Sequence, residues 1–270
     1  MTPVPRGVAH DLASAPEVVL ARGGLLGQPM WLLASTTSTN DEAKRGARQG
    51  APHGATWVTE QQTAGRGRQG RAWLSPRAES LLFSVLVREA PLPARLPQIA
   101  LVAGLAVRDA VGRSLPGGEV KIKWPNDVTV HGKKIAGVLV EAITSGQRVE
   151  AVVVGVGINV HTRAFSEEIA ERATSIALAS APGADPPERV QILADALAAL
   201  DADLHLVVAR GLGIVRARLE AADALRGRRV RSDADGEGVA AGIDEEGRLL
   251  VRRSDGVVER WMAGEVHLVG

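Results

Sequence analysis

The sequence contains no cysteine in its 270 residues. That absence excludes disulfide bonds, thiolate zinc sites and iron–sulfur clusters, and it fits a reducing compartment. No two of the six histidines lie three or four residues apart, so the local spacing of paired metal ligands is missing as well. The formal net charge is only +1, and so no overall field attracts the chain to DNA or to an acidic membrane surface.

Long apolar runs are also missing. No segment approaches the roughly 20 apolar residues of a membrane-spanning helix, and residues 1–16 contain no apolar signal core. These absences predict a cytoplasmic protein that does not bind membranes. A chain of 270 residues is long enough for one large domain and a small one.

The hydrophobic pattern predicts an α+β fold in two parts. Apolar residues at helical spacing indicate one long helix after Pro97 and another that ends at Gly211. Runs rich in β-branched residues predict strands at 31–35, 56–60, 80–88, 120–124, 134–143 and 149–160. After these elements, five short apolar segments separated by Asp-Gly and Glu-Gly turns predict a small all-β barrel. We therefore expect a large domain over residues 1–225 and a β module over residues 226–270.

The segment TAGRGRQGRAWL at 63–74 contains a literal G-x-G-x-x-G motif. A dinucleotide-binding turn requires a helix to begin within the motif, but Ser75 and Pro76 follow it and oppose a helix. A kinase loop requires downstream H-R-D and D-F-G motifs, which the sequence lacks. RNA-binding RG segments are usually disordered and repetitive, whereas this one lies between two predicted strands. Two interpretations stay open, a solvated surface hairpin and an anion-binding loop.

The composition of this segment favours anion binding. Between Glu60 and Glu79 there are four arginines and no acidic residue. Glycine lets backbone amides approach a ligand closely, and arginine offers a planar, always charged fork of donors. Such a loop suits a phosphate or a carboxylate, and Trp73 after it offers a flat face to a purine or to another arginine.

Four further segments carry polar residues in a fixed order, namely STTSTN at 35–40, KWPNDV at 123–128, KKIAGVLVE at 133–141 and GVGINV at 155–160. Taken singly, each also fits ordinary structure. These alternatives are a helix cap, a β-turn, a surface lysine before a buried strand, and a close-approach bend or strand-ending turn. Asp127 in the second segment supplies the hard oxygen ligands that Mg²⁺ prefers.

Taken in order, these segments and QTAGRGRQGRAW resemble the catalytic domain of the biotin protein ligases, also called biotin–[acetyl-CoA-carboxylase] ligases. The resemblance covers about residues 30–180, and the β module matches the family's SH3-like domain in place and size. It implies a mixed-sheet catalytic domain of the biotin/lipoate ligase type followed by a small SH3-like β-barrel. It also implies that biotin and MgATP give biotinyl-5′-adenylate, which acylates one lysine of a carrier domain. Acetyl-CoA carboxylase and other biotin-dependent carboxylases carry such domains.

The resemblance further implies a role for each matching residue. Lys134, Arg68 and Arg71 are the expected catalytic cations, because a biotin carboxylate must approach a negative α-phosphate. The expected biotin-binding residues are Ser38, Thr39, Asn40, Gln62, Gly65, Arg66, Arg68, Lys134 and Gly137. The expected nucleotide-binding residues are Arg68, Arg71, Trp73, Lys123, Asn126 and Asn159, and the expected metal ligand is Asp127.

One position departs from the family pattern. Some members place two glutamines directly before A-G-R-G, whereas Thr63 intervenes here. Alignment without a gap makes Gln62, rather than Gln61, the partner of the biotin ureido ring.

Two related functions compete with this one. Lipoate–protein ligases share the fold and the adenylation chemistry but lack the GRGRxGRxW loop in this form. Biotin-responsive repressors carry an N-terminal helix-turn-helix domain, for which residues 1–37 leave no room. We therefore expect no specific DNA binding, and either a monomer or a homodimer.

Overall fold

The computed structural model describes residues 6–88, 95–146, 148–185, 187–262 and 264–269. The helices are α1 (His10–Ala13), α2 (Ala15–Leu20), α3 (Thr39–Arg48), α4 (Leu96–Ser114), α5 (Glu167–Ala170), α6 (Ile176–Ala179), α7 (Arg189–Arg210) and α8 (Arg216–Ala222). The strands are β1 (Met30–Leu33), β2 (Thr56–Thr59), β3 (Ser80–Val87), β4 (Val120–Lys123), β5 (Asp127–Val130), β6 (Lys133–Ser145), β7 (Arg148–Asn159), β8 (Arg229–Ser232), β9 (Gly236–Ile243), β10 (Leu249–Arg252), β11 (Val258–Trp261) and β12 (His267–Leu268). Within these described ranges, no helix combines the length and the apolar character needed to cross a membrane.

A mixed seven-stranded sheet organises the larger part of the chain. Its strand order is β1-β2-β3-β7-β6-β5-β4. Strands β1 and β2 are parallel, and all other neighbours are antiparallel. The long hairpin of β6 and β7 lies inside this sheet, with Ala136 opposite Ile158 near one end and Ser145 opposite Arg148 at the other. A mixed sheet covered by helices confirms the predicted α+β class.

Helices pack on both faces of this sheet. Helices α4 and α7 pack against each other on one face, where Val152 and Val154 of β7 belong to the main core. Helix α3 packs on the other face, where Ala151 and Val153 join Ala43 in a second apolar cluster. Successive strand residues point to opposite faces, so the alternating assignment of β7 to two clusters follows from its extended backbone.

The α3 face of β7 changes from apolar side chains to glycine toward the end of the strand. After Ala151 and Val153, the next two positions on that face are Gly155 and Gly157. Gly137 of β6 lies opposite Gly157. Because these positions lack side chains, neighbouring groups can approach the sheet backbone closely. This glycine floor is the base of the cleft described below.

The chain ends in a second, smaller sheet. Its strand order is β11-β10-β9-β8-β12, and every neighbouring pair is antiparallel. This sheet confirms the predicted SH3-like β module. Its residues Val230 and Trp261 belong to the same core cluster as the large sheet. The Trp124 indole N–H also donates to the Gly247 carbonyl at 2.9 Å, which ties the two parts together.

The predicted elements are present with two differences of detail. The expected strands and both long helices lie within a few residues of their bounds, and α7 ends just before Gly211. The sequence does not predict β5, because Pro125 and Asn126 indicate only a turn. Helix α3 begins within the STTSTN segment, as the helix-cap interpretation predicts, but the hydroxyl of its N-cap residue Ser38 makes no capping hydrogen bond.

Candidate active site

A cleft opens on the α3 face of the large sheet, over the glycine floor. It encloses about 980 Å³, part of which is open to solvent. Its walls are the start of α3, the arginine loop (residues 65–73) and the segment 123–139. The C-terminal module borders one side with Gly264, Glu265 and Val266. A cleft of this size suits a small molecule or cofactor.

The arginine loop is a compact hairpin. Arg66 and Ala72 form an antiparallel bridge, and the Trp73 N–H donates to the Gly65 carbonyl at 2.9 Å. Gly70 turns the chain with a φ of 73°, a conformation that favours glycine. At Gly65 a Cβ would lie 2.5 Å from the Trp73 carbonyl oxygen, so no side chain fits there. All three arginines of the hairpin line the cleft.

Two cations of the cleft are oriented by nearby carboxylates. Arg66 donates both ends of its guanidinium to Asp41, at 2.6 and 2.7 Å, and these hydrogen bonds lower the pKa of Asp41. The ammonium nitrogen of Lys134 lies 2.7 Å from Asp127 Oδ1. An anionic ligand that enters the cleft therefore meets cations that are already in position.

A third pair links the arginine loop to the C-terminal module. Arg71 Nη1 donates to Glu265 Oε1 at 2.7 Å, and Nη2 donates to the other oxygen of the same carboxylate. This two-fold pairing is the strong geometry for a guanidinium and a carboxylate. The module thus contributes a side chain to the wall of the cleft.

Arg68 and Lys123 lie deeper in the cleft. Burial lowers the pKa of Arg68, and burial likewise lowers the pKa of Lys123, although the attraction of Asp127 offsets part of that effect. Arg68 Nη1 donates to Asn126 Oδ1 at 3.2 Å, and the Asn126 amide in turn donates to the backbone of β6. Partly desolvated cations gain most from a bound anion, because an opposite charge favours their protonated form.

The Trp73 indole lies on the glycine floor. A Cβ on Gly157 would be 2.6 Å from the ring, and one on Gly137 would be 3.2 Å from it. The Lys134 ammonium lies 5.6 Å from the ring centroid, in the range of a cation–π contact. The indole nitrogen is buried, and no acceptor for it is present among the described residues. Trp73 therefore fills part of the cleft and retains one unused donor.

Buried polar side chains form the end of the cleft next to α3. Ser38, Thr39 and Asn40 are each only 3% exposed. The Thr39 backbone N–H donates to Gln62 Oε1 at 2.8 Å. Gly155 makes room for this packing, because a Cβ there would lie 2.1 Å from Asn40 Oδ1. Hydroxyl and amide groups in such a pocket can recognise the donors and acceptors of a neutral polar ligand.

The cleft brings most of the expected site residues together. Those that line it are Ser38, Thr39, Asn40, Gln62, Arg66, Arg68, Arg71, Trp73, Lys123, Asn126, Asp127, Lys134 and Gly137. Gly65 supports the hairpin from outside this lining. Asn159 also lies outside it, because it is 7% exposed and its amide donates to the Thr174 carbonyl at 2.9 Å. The sequence does not predict Glu265 as a site residue, because no local motif marks it. The two glycines of GVGINV do indicate that other groups approach this strand closely, and Asn40 and Trp73 are those groups.

A resident metal centre is not evident in the described ranges. They contain no group of three His, Cys, Asp or Glu side chains arranged to hold a metal ion. Asp127 at the cleft is a single carboxylate beside several cations. This fits Mg²⁺ that arrives with a phosphate ligand, because such ions often take one or two protein carboxylates and complete their shell with phosphate and water.

Comparisons with family models agree with this architecture. Residues 32–159 match the Biotin/lipoate A/B protein ligase family, and residues 227–269 match the Biotin protein ligase C terminal domain. The two matches correspond to the large mixed sheet and to the small antiparallel sheet. They define a ligase of the biotin/lipoate type.

Individual relatives distinguish biotin ligases from lipoate ligases within this class. The chain is 35% identical to a biotin–[acetyl-CoA-carboxylase] ligase of Paracoccus denitrificans, over 82% of this chain and 93% of that protein. It is 37% identical to the protein of the same name from Mycobacterium tuberculosis, over 82% of each. A solved structure of Aquifex aeolicus biotin protein ligase in complex with biotin and ATP is 29% identical and has a TM-score of 0.75, with 90% of this chain and 99% of that chain covered. The chain therefore belongs to the biotin protein ligase family, whose members are ligases.

Proposed function

We propose that this chain joins biotin to a lysine of a carrier protein in two steps at the one cleft. The first step forms biotinyl-5′-adenylate and pyrophosphate from biotin and ATP. The second step transfers the biotinyl group to the lysine and releases AMP. The observation that carries the proposal is that a buried pocket of hydroxyls and amides adjoins a set of arginines and lysines. The pocket suits a neutral polar ring, and the cations suit a carboxylate and phosphates.

Ser38, Thr39 and Gln62 are proposed to bind the ureido ring of biotin. The ring is neutral but has two N–H donors and a carbonyl acceptor, which hydroxyl and amide groups can match. Burial makes each of these hydrogen bonds selective, because a ligand that lacks one partner leaves a buried polar group unpaired. Asn40 supports the pocket from behind. Gly137, together with the backbone of Gly65 and Arg66, is proposed to line the remainder of the biotin site.

The first chemical step brings two anions together. A carboxylate oxygen of biotin attacks the α-phosphorus, the bond from that phosphorus to the bridging oxygen of the β-phosphate breaks, and pyrophosphate leaves. Lys134, Arg68 and Arg71 are proposed to neutralise the reacting groups, because charge stabilisation is the main catalytic effect in phosphoryl chemistry. Lys134 starts from its pair with Asp127 at 2.7 Å, so its charge is oriented before a ligand arrives.

The nucleotide is proposed to lie at the basic end of the cleft. Lys123 and Asn126 supply donors to phosphate, and Trp73 supplies a flat face for the purine. Asp127 would hold the Mg²⁺ that accompanies ATP, and the ion supplies further neutralisation of phosphate charge when it is bound. A contact between Asn159 and adenine requires its hydrogen bond to the Thr174 carbonyl to open.

The second step uses the neutral amine of an acceptor lysine. The amine attacks the acyl carbon of the adenylate, AMP leaves, and the new amide nitrogen loses a proton. We propose the carrier domain of acetyl-CoA carboxylase or of another biotin-dependent carboxylase as the acceptor, which the names of the relatives support. We place the reaction in the cytoplasm because it consumes ATP, and we retain a monomer or homodimer as the active form. A net charge of +1 argues against specific DNA binding.

The test incubates the protein with biotin, MgATP and a purified biotin carrier domain, and then measures the intact mass of the carrier. We expect the carrier to gain one biotinyl group, and only when all the components are present. Biotin-dependent exchange of label between pyrophosphate and ATP tests the first step alone. Exchange that lipoate stimulates and biotin does not would contradict the proposal and indicate the related lipoate ligase function.

A further inference from the structure

A row of buried and half-buried hydrogen bonds runs behind the proposed ureido pocket and ends on a carboxylate. Asn40 Nδ2 donates to Glu141 Oε2 at 2.6 Å. Ser84 Oγ lies 2.5 Å from Asn40 Oδ1 and 2.7 Å from Thr39 Oγ1. Thr39 Oγ1 in turn lies 3.1 Å from Gln62 Oε1, at the cleft. The direction in which each proton points along this row follows from the chemistry of its ends.

Glu141 determines the orientation of the Asn40 side-chain amide. Partial burial by itself raises the pKa of Glu141, but hydrogen bonds from Lys44 and Asn40 outweigh that effect and lower the pKa. The ammonium of Lys44 lies 2.6 Å from Oε1, so the carboxylate has a cation as its second partner. An ionised carboxylate accepts hydrogen bonds and donates none. Asn40 must therefore turn its NH₂ toward Glu141, and its carbonyl oxygen then faces Ser84.

Ser84 lies between Asn40 and Thr39, and it determines where the Thr39 hydroxyl proton points. Its side chain is wholly buried, and its hydroxyl donates to the Asn40 carbonyl oxygen, which has no proton of its own. Because the single hydroxyl proton of Ser84 is used in the hydrogen bond to Asn40, Ser84 can only accept a hydrogen bond from the Thr39 hydroxyl. Gln62 Oε1, 3.1 Å from the Thr39 hydroxyl, competes for the same proton, but it already accepts the Thr39 backbone N–H at 2.8 Å. The contact of 2.7 Å between the Thr39 and Ser84 oxygens needs a proton between them, so the Thr39 proton points inward, away from the ligand. The Thr39 backbone N–H meanwhile holds Gln62 Oε1, which leaves Nε2 as the donor end of that side chain.

We propose that Ser84 and Glu141 are positioning residues that set the proton direction of the ureido pocket, an inference that rests on the function proposed above. Thr39 Oγ1 then presents lone pairs to a ligand N–H. A cyclic urea has an N–H on each side of its carbonyl group. A cyclic carbamate has an oxygen in place of one N–H, which would face the lone pairs of Thr39. The row therefore makes the pocket selective for a urea.

The test compares the dissociation constants of biotin and of the two cyclic carbamate analogues in which oxygen replaces one ureido N–H. In Ser84→Ala the Thr39 hydroxyl loses its inner acceptor, so its proton turns toward the cleft, where Gln62 Oε1 and the carbamate oxygen can accept it. We expect the preference for biotin, over the analogue that the unaltered protein rejects more strongly, to fall about tenfold. Ser80→Ala is the matched control, because Ser80 is a wholly buried serine of the same strand whose hydroxyl has no partner in the described structure. Its preference should stay unchanged.

A second variant keeps the test informative if Ser84→Ala fails to fold. In Glu141→Gln either end of the new amide can face Asn40, so we expect a partial loss of the same preference. The kcat at saturating biotin should stay within about twofold in both variants, because neither side chain contacts the reacting atoms. An unchanged preference, in variants that still bind and ligate biotin, would overturn the inference and leave the proposed function intact. Absence of biotin binding by the unaltered protein would instead overturn the proposed function.

Discussion

At the scale of single residues, Lys134 has the most direct electrostatic role. Its ammonium lies 2.7 Å from Asp127 and 5.6 Å from the centroid of the Trp73 ring. Its charge should matter most where negative charge concentrates, in the transition state of adenylation. We predict that Lys134→Ala slows adenylate formation about 10²- to 10³-fold and changes biotin affinity far less. Single-turnover rates at saturating biotin measure this, with the exposed neighbour Lys133→Ala as the control. A collapse of biotin affinity together with a normal rate would show that the assigned role is wrong.

Lys123 should give ATP binding an alkaline limit. Burial lowers the pKa of Lys123, so this side chain loses its proton at a lower pH than an exposed lysine does. Phosphate binds the protonated form, and therefore ATP affinity is full below the lowered pKa and falls as the pH rises through it. In Lys123→Arg the guanidinium stays protonated, so the fall should disappear or move to higher pH. The KM for ATP, measured from about pH 7 to about pH 10 in both proteins, checks this. Identical profiles would assign the fall to another group.

At the scale of elements, strand β7 gives the cleft its depth because glycine replaces larger residues at its end. In Gly157→Ala the new methyl group would lie 2.6 Å from the Trp73 ring, so the indole has to move. Overpacking of this kind commonly costs about 1–3 kcal/mol, and we predict that the KM for biotin and for ATP each rise about tenfold. Gly112→Ala in α4 is the control, because its added Cβ meets nothing within 4 Å. Unchanged KM values in Gly157→Ala would mean that the indole moves without affecting either ligand.

The arginine loop is the element that we predict to change most on binding. Ordering a residue costs roughly 1–2 kcal/mol of backbone entropy. Arg66 and Arg71 are paired with Asp41 and Glu265, whereas Arg68 is partly desolvated and is repelled by Arg71. Biotin or its adenylate brings a carboxylate or phosphate that can offset both effects. We predict that residues 64–72 exchange their amide hydrogens more slowly when biotin is bound, and that trypsin then cleaves the loop more slowly. Closure of such a loop would shield the adenylate from water. Equal exchange in both states would indicate a preformed loop.

The sequence predicts these elements better than it predicts the contacts between them. The long helices and most strands are recognisable because the period of their apolar residues is a local property. Strand β5 is not predicted from the sequence, because it has only four residues and directly follows the turn at Pro125. The motifs mark Lys134 and Trp73, but no local pattern marks Glu141 as the partner of Asn40, which lies 101 positions away. Side-chain pairs of this kind depend on the register of the folded sheet.

At the scale of the whole molecule, the C-terminal module packs as part of the same body. Trp261 of the module belongs to the main core, and the Gln98 side chain of α4 donates to the Glu245 carbonyl of the module at 2.8 Å. The position near residue 226 thus separates two sheets but not two cores. Removal of residues 226–270 would uncover apolar surface, and any loss of activity would then mix folding with function. A change at a single side chain of the module is the cleaner way to test its role.

Glu265 is that side chain, because it pairs with Arg71 of the arginine loop from 194 positions away. The two side chains are 37% and 57% exposed, so the pair contributes at most about 1 kcal/mol. We predict that Glu265→Gln speeds amide exchange of the free loop by up to about fivefold and leaves the biotin dissociation constant unchanged. Glu237→Gln is the control, because it removes an exposed pair with Arg229 elsewhere on the module. High salt should reduce the difference between Glu265→Gln and the unaltered protein, since it screens exposed charges. Unaltered loop exchange with weakened biotin binding would show that Glu265 acts on the ligand itself rather than by holding the loop.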